Sequence, residues 1–125
     1  MRVLLDTHVL LWTFSEPERI GPEAASAFRD RVTETWVSAA SLWEISTKMS
    51  AGRLDVPDDF LDRVLRAGHE ILPISSGHAW LAGKLPPHHK DPFDRIIVAQ
   101  GIIEGVPLIT HDRQLQAYDA RIIRA

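Results

Sequence analysis

Short apolar runs of strand length alternate along the chain with longer segments whose apolar residues recur at helical spacing. "RVLL" at 2–5, "TWVS" at 35–38, "EILPI" at 70–74, "PLIT" at 107–110 and "ARII" at 120–123 read as strands. Helices fall between them. Pro22 suits the first turn of one that runs to about Val32, and a second covers 39–50 and ends at Gly52, a residue free to turn left-handed. "VPDDFLDRVLRAG" is opened by Pro57 and the two acids after it, whose charge suits the positive end of a helix dipole, and is stopped by Gly68. A shorter helix covers 76–84. The last begins with Asp91 as N-cap and Pro92 at the first helical position, carries apolar residues at 93, 96, 97 and 103, and stops at Gly105. Strand and helix alternating in this way predict an α/β fold: a three-layer sandwich with a small, mainly parallel five-stranded sheet flanked by helices.

A chain of 125 residues suits one domain, 1–125, burying roughly two thirds of its unfolded surface. With 45% apolar and 25% charged residues it has an ordinary globular composition, which sets aside disordered and fibrous classes. Apolar runs such as "VLLWTF" and "IIVAQGII" fall short of the ~20 residues needed to cross a bilayer. No secretory signal opens the chain, so a cytoplasmic protein is expected. The absence of cysteine removes disulfides, thiolate metal sites and cysteine nucleophiles. Carboxylates, histidines and hydroxyls remain to carry any chemistry.

In an open parallel sheet, ligands sit beyond the carboxyl ends of the strands. Asp6 directly follows "RVLL", and Asp112 lies just past "PLIT" with Thr110 and His111 between. Glu44 falls in the second turn of the helix entered from "TWVS", and Asp94 in the first turn of the helix after the polar loop 86–90. All four acids therefore belong to the same end of the sheet. Carboxylates brought within a few ångströms repel one another and need a counter-charge. With oxygen donors, no cysteine and no histidine pair at zinc spacing, Mg2+ or Mn2+ is the expected ion. Such an ion acidifies a bound water for attack on phosphorus, so the reaction class is phosphodiester hydrolysis. The net charge of −3 does not oppose a polyanionic substrate, because setting four carboxylates aside leaves +1 for the rest of the chain.

Each residue also has a plainer reading. Asp6 could be a turn residue, Glu44 a solvent-facing acid on an amphipathic helix, and Asp94 half of a capping box with Asp91. Asp112 could cap a short helix beginning near Arg113, with or without direct contact to metal, and Asp91 could reach the ion through a water. Ser38 suits an N-cap and Ser41 a hydrogen bond to the acids. His88 and His89, adjacent in a proline-rich loop, lack the spacing of helical zinc ligands and read as a structural or RNA-contacting loop. His111 could touch phosphate. Of Trp12, Trp36, Trp43 and Trp80, three fall in apolar-periodic segments and read as core rather than as base-stacking platforms. Lys48, Lys90, Arg95 and Arg113 are candidates for phosphate contacts.

"LLDTHVLLW" at 4–12, "SAASLWEISTKMSAGRL" at 38–54, "LPPHHKDPFDRIIVAQ" at 85–100 and "LITHD" at 108–112, in this order and at these separations, resemble a PIN domain of the VapC toxin type. The resemblance implies a small α/β sandwich and a Mg2+-dependent endoribonuclease acting on RNA such as tRNA or rRNA. It also implies a cognate VapB-type antitoxin, a homodimer, and a heterotetramer or larger assembly with that antitoxin. The family's acids correspond to Asp6, Glu44, Asp94 and Asp112, and its polar positions beside the first and last acids to Thr7 and Thr110. Two other functions stay in view. An aspartyl-phosphate enzyme would want an aspartate where His8 stands and a lysine beyond Lys90, and the chain has neither. A PIN-like module that binds RNA or a partner without cutting would have no need of four intact acids.

Overall fold

The pleat of one strand divides the interior in two. In the computed structural model, which describes residues 1–125, Val3, Leu4 and Leu5 are all fully buried, but Val3 and Leu5 enter one apolar cluster and Leu4 the other. A strand buried on both faces belongs at the centre of a sheet, and β1 (Arg2–Leu5) lies there. The other strands are β2 (Glu34–Ser38), β3 (Glu70–Leu72), β4 (Leu108–Thr110) and β5 (Ile122–Arg124). They run in the order β3-β2-β1-β4-β5, and every pairing is parallel. The five strands anticipated are all present, shifted at their ends by a residue or two. Pro73 follows the last paired residue of β3, where it withdraws no ladder donor.

Six helices complete the layers. The cluster on the Leu4 side takes in Ala82 and Leu85 of and just after α5 (Ser76–Lys84), and Ile97, Val98 and Ala99 of α6 (Pro92–Glu104). The opposite cluster takes in Val9, Leu10 and Trp12 of α1 (Thr7–Ser15) and Ala24 of α2 (Pro22–Arg29). Phe60 and Val64 of α4 (Phe60–Arg66) also lie on that side. Helix α3 (Ala39–Ser50) contributes to both, through Ala40 on one side and Ile45 on the other.

Three features depart from the pattern-based expectation. Helix α1 was not anticipated: "THVLLWTFS" is apolar on most of its circumference, so a helical period has little polar contrast to show against. Helix α2 ends at Arg29 rather than Val32, because the Asp30 carboxylate accepts the Val32 N–H at 3.1 Å and the Asp30 carbonyl accepts the Thr33 N–H at 3.1 Å, closing a turn. Helix α4 begins at Phe60; Pro57 instead heads a turn closed by the Phe60 N–H on the Pro57 carbonyl at 3.0 Å.

The strand order places a topological switch between β1 and β4. From β1 the chain works outward through β2 to β3, then returns to the other side of β1 for β4 and β5. Connections leaving β1 and β4 part there and open a crevice at the carboxyl ends. Helix α6, which delivers the chain to β4, starts on the Asp91 side chain, whose Oδ1 accepts the Phe93 N–H at 2.9 Å, and stops at Gly105 with φ of 65°. Nothing lies within 4 Å of where a Gly105 side chain would begin, so Gly105→Ala isolates the cost of left-handed backbone. The expected loss is about 1–2 kcal/mol in urea unfolding.

Candidate metal centre

Asp6 ends β1 and precedes α1, and its side chain is only 3% exposed at the mouth of the crevice. Thr110, the last residue of β4, donates its hydroxyl to Asp6 Oδ2 at 2.5 Å, and the same hydroxyl oxygen accepts the Asp112 N–H at 3.0 Å. One threonine thus ties the acid after β1 to the acid after β4. Asp6 Oδ1 is buried and has no hydrogen-bond partner.

Glu44 is 2% exposed on α3, which is capped by the Ser38 hydroxyl accepting the Ala40 N–H at 3.0 Å. Lys48, one turn on, donates to Glu44 Oε2 at 2.7 Å, while Glu44 Oε1 is a second buried oxygen without a partner. Lys48 therefore neutralises an acid of the cluster, a different task from the phosphate contact expected of it. Ser41 is fully buried and accepts the Thr7 hydroxyl at 2.9 Å, joining α1 to α3 rather than reaching an acid.

Asp94 stands in the first turn of α6 with its side chain 14% exposed. Its carboxyl is pushed up to about 8, first by burial and then by the negative charges of Asp6, Asp91, Glu44 and Asp112. That list also shows that the acids of four separate elements share one field. The Asp6 carboxyl is raised as well, chiefly by burial, with the Thr110 hydroxyl opposing and Glu44 adding to the shift. Asp112 uses both oxygens: Oδ1 accepts the Gln114 N–H at 2.9 Å and caps a 3-10 helix at Arg113–Ala117, while Oδ2 faces His89.

His89 enters the cluster from the loop before α6. Its Nε2 lies 2.9 Å from Asp112 Oδ2 and 3.2 Å from Asp94 Oδ2, and these groups lie close enough together to surround one ion. Its Nδ1 accepts the Asp91 N–H at 3.0 Å, so the proton of the neutral ring is on Nε2. The histidine had been read as part of a structural or RNA-contacting loop, and the tight spacing "HHKD" carries no signal that the ring turns back toward the acids.

Arg95 is likewise reassigned. Instead of facing substrate, its guanidinium donates to the carbonyls of Ala82 at 3.1 Å, Leu85 at 2.7 Å, Pro86 at 3.1 Å and His89 at 3.0 Å. It spends itself on the backbone before α6. Trp12 is buried as core, but Trp43 and Trp80 are 58% and 71% exposed. Trp43 packs edge-on against Phe93 beside the acids, with ring centroids 4.9 Å apart. His8, Trp12 and His111 line, with Asp6 and Asp112, a cavity of about 270 Å3. Larger concavities exist elsewhere, but none gathers the buried carboxylates.

The donor set fits a hard divalent cation. Two buried carboxylate oxygens lack partners, Asp94 is raised by burial and by the negative charges around it, and cysteine is absent. Asp6, Glu44, Asp94 and Asp112 are the groups that could hold such an ion, whereas His89 Nε2 is occupied by its proton.

An open parallel sheet with acids gathered at its switch crevice defines an α/β domain whose candidate site lies at the carboxyl ends of its strands. The model of the PIN domain family matches residues 3–121, and the chain belongs to that family. It is 31% identical over 119 residues to ribonuclease VapC22 of Mycobacterium tuberculosis, covering 93% of this chain and 91% of that protein. Among solved structures, the VapBC2 complex of Rickettsia felis bound to a promoter DNA fragment superposes with a TM-score of 0.73 at 14% identity, covering 100% of this chain and 99% of the other. The DNA-bound VapBC of Salmonella typhimurium gives 0.73 at 18% identity, covering 99% and 98%.

The raised Asp94 has a consequence for folding. Folded, the carboxyl keeps a proton that the unfolded chain gives up near 3.8, so its contribution to stability is whole below about pH 4 and fades as pH rises to about 8. Asp6 acts in the same direction. In EDTA, urea unfolding should therefore show stability falling between pH 4 and 8 by an amount on the order of a few kcal/mol. Asp94→Asn should flatten that slope.

Proposed function

We propose that this protein, one PIN domain spanning 1–125, is a Mg2+-dependent endoribonuclease of the toxin kind, with Mn2+ as a substitute ion. The observation that carries this reading is the convergence of four acids from four elements on one crevice, two of them with a buried oxygen left unpartnered. The similarity to a ribonuclease over most of both chains supports the choice of RNA, with tRNA or rRNA as the substrate class.

A divalent ion bound there supplies the positive charge that the carboxylates lack and acidifies the attacking water. Thr110 holds the Asp6 carboxylate toward the crevice, and Lys48 holds Glu44 through Oε2. Asp94 and Asp112 face one another across His89 Nε2. Exposed His8 and His111 flank the opening, where RNA phosphate would enter.

A VapB-type antitoxin is the proposed partner, supported by the VapBC complexes that share the fold. Exposed Trp43 continues into an apolar groove lined by Leu42, Met49, Phe60 and Leu61, which offers a seat for a partner peptide. Dimerisation, and a heterotetramer or larger complex with the antitoxin, belong to the same proposal. No helix is long and apolar enough to cross a membrane, in keeping with work in the cytoplasm.

The test is cleavage of a mixed tRNA and rRNA pool by purified, antitoxin-free protein. Discrete fragments should appear with Mg2+, disappear in EDTA, and fall by about a hundredfold or more in Asp6→Asn and Asp94→Asn variants that keep their fold. RNA bound but never cut, with either ion, would replace the enzyme by a binding module.

A further inference from the structure

We infer that His89 is a positioning residue that spaces Asp94 from Asp112 through its Nε2–H, and is neither a metal ligand nor a proton acceptor. This deepens the metal-centre reading and rests on it.

Three contacts fix the residue before its ring reaches the acids. Its N–H donates to the Tyr118 hydroxyl at 2.9 Å, its carbonyl accepts from Arg95 at 3.0 Å, and its Nδ1 accepts the Asp91 N–H at 3.0 Å. Tyr118 is in turn held by donating to the Pro86 carbonyl at 2.8 Å. With backbone and ring both tied, the imidazole cannot turn to offer the other nitrogen without breaking the bond to Asp91. A main-chain N–H has no choice but to donate, so the lone pair of Nδ1 is taken and the ring proton is on Nε2.

That proton points at two carboxylates from different elements, Asp94 on α6 and Asp112 after β4, each through Oδ2. Two carboxyl groups this close would splay apart once both are ionised. A single shared donor offsets part of their repulsion, while the second oxygen of Asp112 is already fixed by its cap on Gln114. The ring thereby sets the gap between two acids that have no covalent or secondary-structure reason to keep one. Groups that orient metal-binding carboxylates in this way commonly matter about 10- to 100-fold in metal affinity.

Two substitutions separate the ring's two ends. The amide nitrogen of glutamine reaches about as far as Nε2 and donates, whereas the amide oxygen of asparagine reaches only as far as Nδ1 and can keep the bond to Asp91. Mn2+ binding by calorimetry and RNA cleavage are measured for the full chain and for His89→Gln and His89→Asn, with urea unfolding as a control. His89→Asn should lose about 10- to 100-fold in Mn2+ affinity with KM for RNA little changed, and His89→Gln should recover most of it. Equal losses in both variants would mean that a donor in the place of Nε2 does not restore the site, and would overturn the inference. So would unchanged Mn2+ affinity in His89→Asn, or a wild-type protein that binds no Mn2+. Wild type that binds Mn2+ with this dependence on His89 yet cuts no RNA would uphold the positioning role and defeat the nuclease reading alone.

Discussion

Like charges in a confined space govern this molecule. Four carboxylates occupy one end of a parallel sheet, and the cost of burying them together appears in the raised pKa of Asp6 and of Asp94, burial first and the neighbouring negative charges after it. A flexible loop would relieve such repulsion by moving its acid into water. Here the acids cannot move away, because each is carried by an element packed into the core: β1, α3, α6 and the end of β4. The apolar interior on either side of β1 is what keeps the acids in place.

Holding the cluster requires hydrogen-bond donors as well as rigid elements. Thr110 supplies one hydroxyl that serves two acids, Lys48 supplies a cation to Glu44, and the His89 ring lies between Asp94 and Asp112. Each device is local, but each joins pieces of chain that are far apart in sequence. The bond between Thr110 and Asp6 spans the switch between β1 and β4, the one place in the strand order where neighbouring loops diverge. The site is thus a property of the topology before it is a property of any one helix.

Much of this was legible in the sequence. The alternation of strand and helix, the punctuation of α6 by Asp91, Pro92 and Gly105, and the position of each acid just past a strand or at a helix start follow from local rules that act over a few residues. What stayed hidden depends on contacts made at a distance. Helix α1 lacks polar contrast because apolar residues cover most of its circumference, and α2 is cut short by a turn on Asp30. The placing of His89 and Arg95 cannot be read from spacing, since both are set by a loop that folds back over α6 and meets Tyr118 from the far end of the chain. Trp43 and Trp80 sit in segments with core-like period yet face outward.

Arg95 has a consequence for how the surface is explored. A positive side chain beside an acidic nuclease-like crevice invites the assumption that it meets nucleic acid, and a scan of basic residues would score its replacement as a loss of affinity. The guanidinium is instead a keystone: four main-chain carbonyls and the Tyr118 hydroxyl close around it, and one of those carbonyls belongs to His89. Removing it would loosen the span that carries His89 and leave the acid cluster misshapen without touching any of the four acids. A defect read as weak substrate binding would in truth be a defect of architecture.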